Sequence, residues 1–590
     1  MQIAVVLVLL GAVAVLLATE RLREDLVAML ALSALVLLQV VSPKEALSGF
    51  SNPATVAVAC MFLLSAGLQS SGFVQFMGDR LLKAGPHSST ALILLSAVVI
   101  GPVSAFINNT AAVAVFLPVA LRASHGSGVS PSRILMPLSF FAMLGGMCTL
   151  IGTSTNILVS SLASDHGIRP FEMFEFTKLG LILFGAGLVY MMLAGRRLLP
   201  ERVEPESLTE GYHLNRFLSE ALVLPGSVLV GQTLPEAQLG ARYDLEVLGL
   251  IRADGRRLLP GEDERLEEGD LLLVKAPAAA LVQLHDRAGI AIKPGRHPAD
   301  ADLRSSDSVL IEAVVMPNSP LRGRTLKGVD FRHRYGATTL AIRRHGEDIR
   351  EKIGKVRLRL GDEMLILAPR KYLDRLRQET DFVILEEHDV PVLKPATAIT
   401  SGLIVAGVVT SAAFGWYTVA EAAVVGSVVM VLTGCLPIRK IYSEIDWRVI
   451  FLLAGLIPLG IALETSGAAA SAVHGLLWLI GDLGPTAVLS AFFLVAFLLT
   501  GFMSNAATAA LLAPLAITCG TSLGVDPRPF LMALAFAASA AFYTPIGYQT
   551  NLLVYGPGGY RFTDYVKVGG PLTILVWILA TLLIPILFPF

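Results

Sequence analysis

Two short polar stretches interrupt apolar sequence in this chain of 590 residues. The first reads NNT at 108–110 and the second reads SNA at 504–506, and apolar residues flank both. Non-helical backbone at membrane depth is tolerated only where it is buried in protein or lines a cavity, and a helix broken there has free backbone N–H and C=O groups. Carbonyl and neutral side-chain oxygens suit a monovalent cation such as Na⁺, whereas helix N-termini and amide or hydroxyl donors suit an anion. The stretches therefore predict two hairpin tips that bind a cation and an anion in one cavity.

A second pair of motifs is expected to complete that cavity. They read IGTSTN and IGYQTN. Gly152 and Gly547 permit close backbone approach or a positive φ, and Asn156 and Asn551 lie at the same predicted broken-helix turns. A single Ser or Asn within a span is more simply interpreted as a contact between helices. The paired and repeated arrangement favours a binding site instead.

These motifs belong to a long internal repeat. At an offset of 396 residues, Ser104 aligns with Thr500 and Asn109 with Asn505. At an offset of 395, LQSSG aligns with LETSG and IGTSTN aligns with IGYQTN. Three landmarks in register over a whole half predict a duplication.

The composition is that of a polytopic α-helical membrane protein. The chain is 54% hydrophobic, is only 16% charged and has a mean hydropathy of +0.66. Charged residues are sparse in 1–195 and 391–590 and dense between them, which predicts a soluble insert. The net charge of −1 gives no indication of nucleic-acid binding. The segment 3–19 lacks a basic leader, so we expect a retained spanning helix rather than a signal peptide.

The distribution of basic residues predicts that the halves have opposite orientations. RLRED at 21–25 follows the first span, whereas the second half has its basic loop, PIRKIYSEIDWR, one span later at 437–448. The stretch 195–202, GRRLLPER, places the insert in the cytoplasm as well. We therefore expect two inverted repeats, each of five spans plus one re-entrant hairpin, in a bacterial-type inner (plasma) membrane contacted by lipid.

The insert is itself duplicated. SVLVGQTL at 227–234 matches SPLRGRTL at 319–326, and GDLLLVKAP matches GDEMLILAP at the same offset of 92. Short β-rich runs separated by Gly and Asp turns predict two small α+β modules in tandem. Neither contains a GxGxxG or Walker-type loop. The predicted divisions of the chain are 1–199, 200–295, 296–390 and 391–590.

Few ionisable residues lie in the predicted core segments. Glu464 is the clearest, and its repeat mate is Gln69. Proton-coupled carriers place carboxylates or His on the pathway, so this scarcity favours Na⁺ coupling through neutral oxygens. No Ser-His-Asp or HExxH constellation is visible, so we do not expect an enzyme. The cysteines, which show no CxxC spacing, are interpreted as core residues: Cys60, Cys148, Cys435 and Cys519.

The hairpin and turn motifs resemble those of the divalent anion/sodium symporter family, which carries sulfate or di- and tricarboxylates. The resemblance covers both membrane halves and implies a homodimeric, sodium-coupled symporter that works by alternating access. It implies a first sodium site of Ser104, Asn108, Asn109 and Gly152, and a second of Thr500, Met503, Asn505 and Gly547. The implied substrate contacts are Asn109, Thr110, Ser504 and Asn505, to which the turns add Asn156 and Asn551.

This chain departs from the family pattern at both tips. Asn108 replaces a serine, and Ala506 replaces a threonine whose hydroxyl would help hold a carboxylate. The turns also lack the Pro-Pro that is often found there in carboxylate carriers. These differences favour sulfate, with an organic di- or tricarboxylate as the alternative substrate. An oxyanion efflux carrier and a ligand-gated channel are the other candidate functions, although a filter like TVGYG is missing.

The insert resembles the C-terminal regulator-of-conductance (TrkA-C-like) domain, present twice. Two interpretations stay open: a sensor for a regulatory ligand such as a nucleotide, or a dimerisation and docking element without a ligand. The basic stretch 332–336, RHRYG, together with 342–352, could hold a phosphate, but a solvated charged surface is the simpler interpretation.

Overall fold

The computed structural model divides into two compact units, 1–202 with 387–590, and 203–386. The residues that it describes are 2–19, 22–72, 88–202, 218–239, 245–252, 257–258, 264–275, 290–292, 308–316, 319–344, 347–349, 353–379, 381–384, 395–480 and 483–590. The predicted boundaries at 295–296 and 390–391 lie outside these residues, as does part of 342–352.

The larger unit is helical. The helices of its first half are α1 (Gln2–Thr19), α2 (Glu24–Leu37), α3 (Pro43–Ser48), α4 (Pro53–Ser70), α5 (Ser89–Ser104), α6 (Asn109–Ser127), α7 (Leu135–Gly146), α8 (Ser154–Asp165), α9 (Thr177–Tyr190) and α10 (Arg196–Leu198). A π-helical turn, Met191–Gly195, joins the last two.

The smaller unit contains two antiparallel sheets. Its strands and helices are β1 (Leu218–Val223), α11 (Leu234–Ala237), β2 (Glu246–Ile251), β3 (Arg257–Leu258), β4 (Leu271–Lys275), β5 (Ile290–Ile292), β6 (Ser308–Val315), α12 (Phe331–Tyr335), β7 (Thr338–Arg344), β8 (Glu347–Asp348), β9 (Glu363–Pro369), α13 (Leu373–Gln378) and β10 (Phe382–Ile384). The strand orders are β3-β2-β4-β1-β5 and β8-β7-β9-β6-β10, which are the same order at an offset of five strands.

The second half of the larger unit repeats the helical pattern. Its helices are α14 (Pro395–Ala413), α15 (Val419–Leu432), α16 (Ile441–Glu444), α17 (Trp447–Thr465), α18 (Ala468–Ile480), α19 (Pro485–Thr500), α20 (Asn505–Leu523), α21 (Arg528–Ser539), α22 (Gln549–Tyr555) and α23 (Phe562–Leu587). Short 3₁₀ turns occur at Pro131–Arg133 and Ile438–Lys440 in this unit, and at Ile353–Lys355 and Arg370–Tyr372 in the smaller unit.

The internal repeat extends to the helix boundaries. At an offset of 396, both ends of α5 coincide with those of α19, and both ends of α6 with those of α20. At an offset of 395, both ends of α2 coincide with those of α15, and the first residue of α8 with that of α22. The duplication in the sequence is therefore also a duplication of the helices and of the breaks between them.

The two halves pack on each other reciprocally. Helix α2 packs on α17, and its repeat mate α15 packs on α4. In the same way α6 packs on α22, and its mate α20 packs on α8. The second arm of each hairpin, α6 or α20, therefore packs on the broken helix of the other half.

Among the described residues, six helices are long and apolar enough to cross a membrane, and further apolar helices are shorter. The two hairpin arms α5 and α19 belong to the shorter group, with 16 residues each. Helix α7 is buried along its whole length, and α21 nearly so. An apolar helix buried on all sides lies in the interior of the helix bundle, so these two helices form the centre on which the site is built.

The two sheets of the smaller unit also share local detail at an offset of 92. Strand β2 has a bulge between Val247 and Gly249, and β7 has one between Thr339 and Ala341. Arg252 pairs with the buried Asp270 at 2.7 Å, and the equivalent Arg344 pairs with Asp362 at 2.6 Å. Apolar residues of each module form a core of their own.

Candidate functional site

The first hairpin tip is the break between α5 and α6. The Ser104 hydroxyl, at the end of α5, donates to Asn109 Oδ1 at 2.6 Å, and both residues are buried. Asn108 Oδ1 accepts from the backbone N–H of Thr110 at 2.9 Å. Asn108 is therefore the N-cap of α6, a position that Asn and Ser fill equally well.

The second tip, between α19 and α20, repeats this arrangement. Asn505 Nδ2, in the amide orientation that gives both ends complementary partners, lies 2.9 Å from Thr500 Oγ1 and 3.0 Å from the carbonyl oxygen of Ala538. It also lies 3.2 Å from the carbonyl oxygen of Gly547. Ser504, which aligns with Asn108, caps α20 by accepting from the backbone N–H of Ala507 at 3.4 Å.

A buried threonine fastens each tip to its own broken-helix turn. Thr149 donates to the carbonyl of Ala105 and accepts from the Gly152 N–H at 3.1 Å. Thr544 donates to the carbonyl of Gly501 at 3.1 Å and accepts from the Gly547 N–H at 3.0 Å. These threonines are repeat mates, so one hydroxyl per half fixes the distance between tip and turn.

Asn156 and Asn551 stabilise the turns. Asn156 Nδ2 donates to the carbonyl of Thr149, and Asn551 Nδ2 donates to that of its mate Thr544, at 2.8 and 2.9 Å. Asn551 also accepts from the Ser139 hydroxyl at 2.8 Å. Both amides are almost fully buried. They donate hydrogen bonds to carbonyl groups that the helix breaks leave without a helical partner.

The glycines allow the tip and turn to approach closely. A methyl group on Gly152 would lie 2.4 Å from the carbonyl oxygen of Gly146, and one on Gly547 would lie 2.6 Å from that of Thr500. A methyl group on Gly146 would meet Asn109 Oδ1 at 2.2 Å. A side chain at Gly146 or Gly547 would therefore press on a predicted ligand, Asn109 or Thr500, and one at Gly152 would press on the backbone of Gly146.

The two halves meet through the second turn. Asn109 Nδ2 donates to the Tyr548 hydroxyl at 2.6 Å, and the Thr110 hydroxyl donates to Gln549 Oε1 at 3.3 Å. The Tyr548 hydroxyl also interacts with the side chains of Thr153 and Asn505. One phenol therefore contacts the asparagines of both tips.

The structure brings most of the predicted site residues together. The hydrogen bonds described above join the tip residues of each half to one another. Met503 is buried beside the second tip, while Asn156 and Asn551 are engaged with backbone carbonyls. Several polar side chains at the tips and the second turn stay partly exposed: Asn108, Thr110, Ser504, Asn505, Tyr548 and Gln549.

Sequence reasoning did not single out Thr149, Thr544, Tyr548 or Gln549. A signal for the threonines was present, because they align at the offset of 395 just before the two turn motifs. Tyr548 was visible as the position where IGYQTN differs from IGTSTN. Its contact with Asn109, however, joins residues 439 apart and depends on how the halves pack.

Every hydrogen-bonding partner described at the tips is neutral. In the described part of the chain, no group of three or more His, Cys, Asp or Glu residues is placed to hold a metal ion. Neutral hydroxyl, amide and carbonyl oxygens at two tips are suited to Na⁺, and backbone N–H groups at the starts of α6 and α20 are suited to an anion.

Glu464 forms an ion pair away from the tips. Its Oε2 lies 2.8 Å from His166 Nε2, and His166 Nδ1 lies 2.6 Å from the carbonyl of Leu162. Burial opposes protonation of His166, but the bonds to Glu464 and Leu162 and the charges of Glu464 and Asp165 outweigh it, so the pKa of His166 is raised. The repeat mate of Glu464, Gln69, donates to Ser65 at 3.3 Å.

Comparison with known proteins identifies relatives that are named transporters. The profile of the citrate transporter family, CitMHS, matches residues 14–524 and 491–590. An uncharacterized transporter of Synechocystis sp. is 41% identical over 100% of this chain and 97% of its own length. The uncharacterized transporter YfbS of Escherichia coli is 33% identical over 99% of both chains. Sodium/sulfate cotransporter 2 of Chlamydomonas reinhardtii is 22% identical over 92% of this chain and 84% of its own length.

The family match, the relatives named as transporters and the long apolar helices identify an integral membrane transporter, not an enzyme. The chain belongs to the citrate transporter family.

Proposed function

We propose that this protein is a sodium-coupled symporter of a divalent anion and that sulfate is its substrate. The observation that carries the proposal is the pair of hydrogen-bonded tips, Ser104–Asn109 and Thr500–Asn505, which both lie beside Tyr548. Each tip offers neutral oxygens for one Na⁺. The anion lies between the tips, where its charge is balanced by the bound cations and by helix N-termini.

Three features support sulfate over a carboxylate. Ala506 gives the second tip no hydroxyl where Thr110 gives the first tip one. Tyr548 lies beside both asparagines, and its bulk there favours a small anion over a longer one. A relative is named a sodium/sulfate cotransporter. The family description, citrate transporter, makes a di- or tricarboxylate the alternative that the experiment must exclude.

The proposal includes alternating access, which the reciprocal packing of the halves supports. Because α6 and α20 each pack on the broken helix of the other half, we expect that moving one repeat against the other opens the site on one side as it closes on the other. We include in the proposal inverted orientation of the repeats, a homodimer in the inner membrane, and a cytoplasmic pair of TrkA-C-like modules that respond to a nucleotide or mediate docking.

The test is uptake of radiolabelled sulfate into proteoliposomes under an imposed Na⁺, K⁺ or proton gradient, with succinate and molybdate as competitors. We expect uptake that requires inward Na⁺ and that excess succinate leaves unchanged. Accumulation of succinate without sulfate would assign the protein to the carboxylate carriers. Outward sulfate flux driven by the cation gradient would make it an efflux carrier.

A further inference from the structure

The two broken-helix turns have nearly the same backbone but different side chains. Thr153, which precedes α8, has φ −137° and ψ 142°, and Tyr548, which precedes α22, has φ −139° and ψ 134°. The two turns therefore differ in how far the side chain at this position extends. A threonine hydroxyl stays beside its own turn, whereas the phenol of Tyr548 extends to the opposite half.

The Tyr548 hydroxyl lies among the groups that define the site. It is 2.6 Å from Asn109 Nδ2 and interacts with the side chains of Asn505 and Thr153. Asn109 and Thr153 are buried, while Tyr548 keeps partial exposure. A ligand that enters between the tips therefore reaches the phenol before it reaches the Asn109 amide.

Counting protons indicates what the phenol can offer such a ligand. A tyrosine hydroxyl has one proton to donate and lone pairs to accept. The amide of Asn109 already donates to Tyr548, so the phenolic proton is directed to another acceptor, of which the Asn505 amide oxygen and the Thr153 hydroxyl are the neutral ones beside it. An anion oxygen is a stronger acceptor than a neutral hydroxyl or amide, because hydrogen bonds to charged groups are worth more.

The neighbouring residues make the site asymmetric. Gln549 accepts from Thr110 on the same side as Tyr548. The repeat mates of this pair, Ser154 and Ala506, are both smaller. Large side chains therefore lie where Thr110 meets Gln549, and small residues occupy the equivalent positions of the repeat.

We propose that Tyr548 is the residue that sets anion selectivity, by donating its phenolic proton to a compact oxyanion and by excluding longer dicarboxylates. This inference rests on the proposed function and names the selectivity determinant of the same site. A threonine here, as in the other repeat, would remove both the donor and the bulk.

The experiment compares sulfate and succinate uptake by Tyr548→Phe and Tyr548→Thr proteoliposomes under a Na⁺ gradient. The matched control is Tyr543→Phe, since Tyr543 lies in the same turn but donates to the Leu498 carbonyl at 3.1 Å. We expect Tyr548→Phe to raise the sulfate KM about tenfold, because a hydrogen bond to a charged ligand is lost. Tyr548→Thr should shift the kcat/KM ratio about tenfold toward succinate. Tyr543→Phe should keep both values.

An unchanged sulfate KM in Tyr548→Phe, together with an unchanged ratio in Tyr548→Thr, would overturn the inference while leaving sulfate symport intact. If Tyr548→Thr does not fold, as judged by size-exclusion chromatography, the KM of Tyr548→Phe decides alone. Equilibrium binding of labelled sulfate to the purified proteins gives an independent measurement. A wild-type protein that neither accumulates nor binds sulfate or succinate would overturn the proposed function as well.

Discussion

Asn109 and Asn505 have equivalent positions and each contacts the hydroxyl that precedes its break, but their other hydrogen-bonding partners differ. Asn109 joins Ser104 to Tyr548 across the halves. Asn505 lies against Thr500 and the carbonyls of Ala538 and Gly547. Since one side chain organises each tip, neither should be replaceable by an apolar residue.

We expect Asn109→Ala and Asn505→Ala to abolish transport while expression stays normal. The measurement is Na⁺-driven sulfate uptake normalised to the amount of reconstituted protein. Thr518→Ala is the control, because Thr518 lies on α20 but donates only to the Pro514 carbonyl of its own helix, at 2.8 Å. Full activity in both asparagine variants would refute the assignment of the site.

Asn108 offers a separate test of the first tip. Its side chain caps α6, and serine is an equally good cap, so Asn108→Ser should keep wild-type stability and uptake. Asn108→Ala should cost about 1 kcal/mol of stability. If Asn108 also binds sodium, the Na⁺ concentration for half-maximal uptake will rise in Asn108→Ala, and an unchanged value would remove Asn108 from the sodium site.

At the scale of helices, the site depends on how closely α7 approaches the first tip. Gly146 ends α7, and a methyl group there would meet Asn109 Oδ1 at 2.2 Å. We therefore expect Gly146→Ala to abolish uptake by displacing the Asn109 amide. Gly185→Ala on α9 has open space within 4 Å and should transport normally. Equal activity of the two variants would contradict the close packing at the tip.

The pair His166–Glu464 joins the end of α8 to the end of α17. Because the pKa of His166 is raised above its usual value of about 6.5, the pair stabilises the fold fully below that value. This contribution is lost as the pH rises through the raised pKa. We expect His166→Gln to lower the thermal midpoint more at about pH 5.5 than at about pH 8.5. Equal losses at both values would show that the imidazole is not charged in the fold.

At the scale of the whole molecule, residues 200–202 are held by both halves of the membrane unit. The Ser132 hydroxyl donates to the Pro200 carbonyl, and Arg202 pairs with Asp564 at 3.0 Å. Asp564 is buried and also accepts from the Arg561 N–H at the start of α23. The segment that follows the first half is therefore bonded to both halves of this unit.

We expect Asp564→Ala to lower the free energy of unfolding by about 1–3 kcal/mol, since it leaves Arg202 and a helix N-terminus without their partner. Glu201→Ala is the matched control. Glu201 pairs with Arg133, and its side chain is 65% exposed. Such a surface ion pair should contribute less than about 1 kcal/mol. Denaturation in the same detergent compares the two, and an equal loss would mean that Asp564 contributes no more than a surface charge.

Much of this architecture could be predicted from the sequence, because the polar tips contrast with their apolar surroundings. The breaks at 105–108 and 501–504 fall where the NNT and SNA stretches predict them. The reciprocal packing of α6 on α22 could not be predicted, since it depends on contacts between residues more than four hundred positions apart. For the same reason Glu464 stood out in the sequence but its partner His166 did not.

The measurement that tests the central claim most directly is influx of radiolabelled sodium driven by a sulfate gradient. If both ions bind at the paired tips, an inward sulfate gradient will accelerate sodium influx into wild-type proteoliposomes and will have no effect with Asn505→Ala. Sodium influx that is the same with and without sulfate would contradict coupled transport at this site.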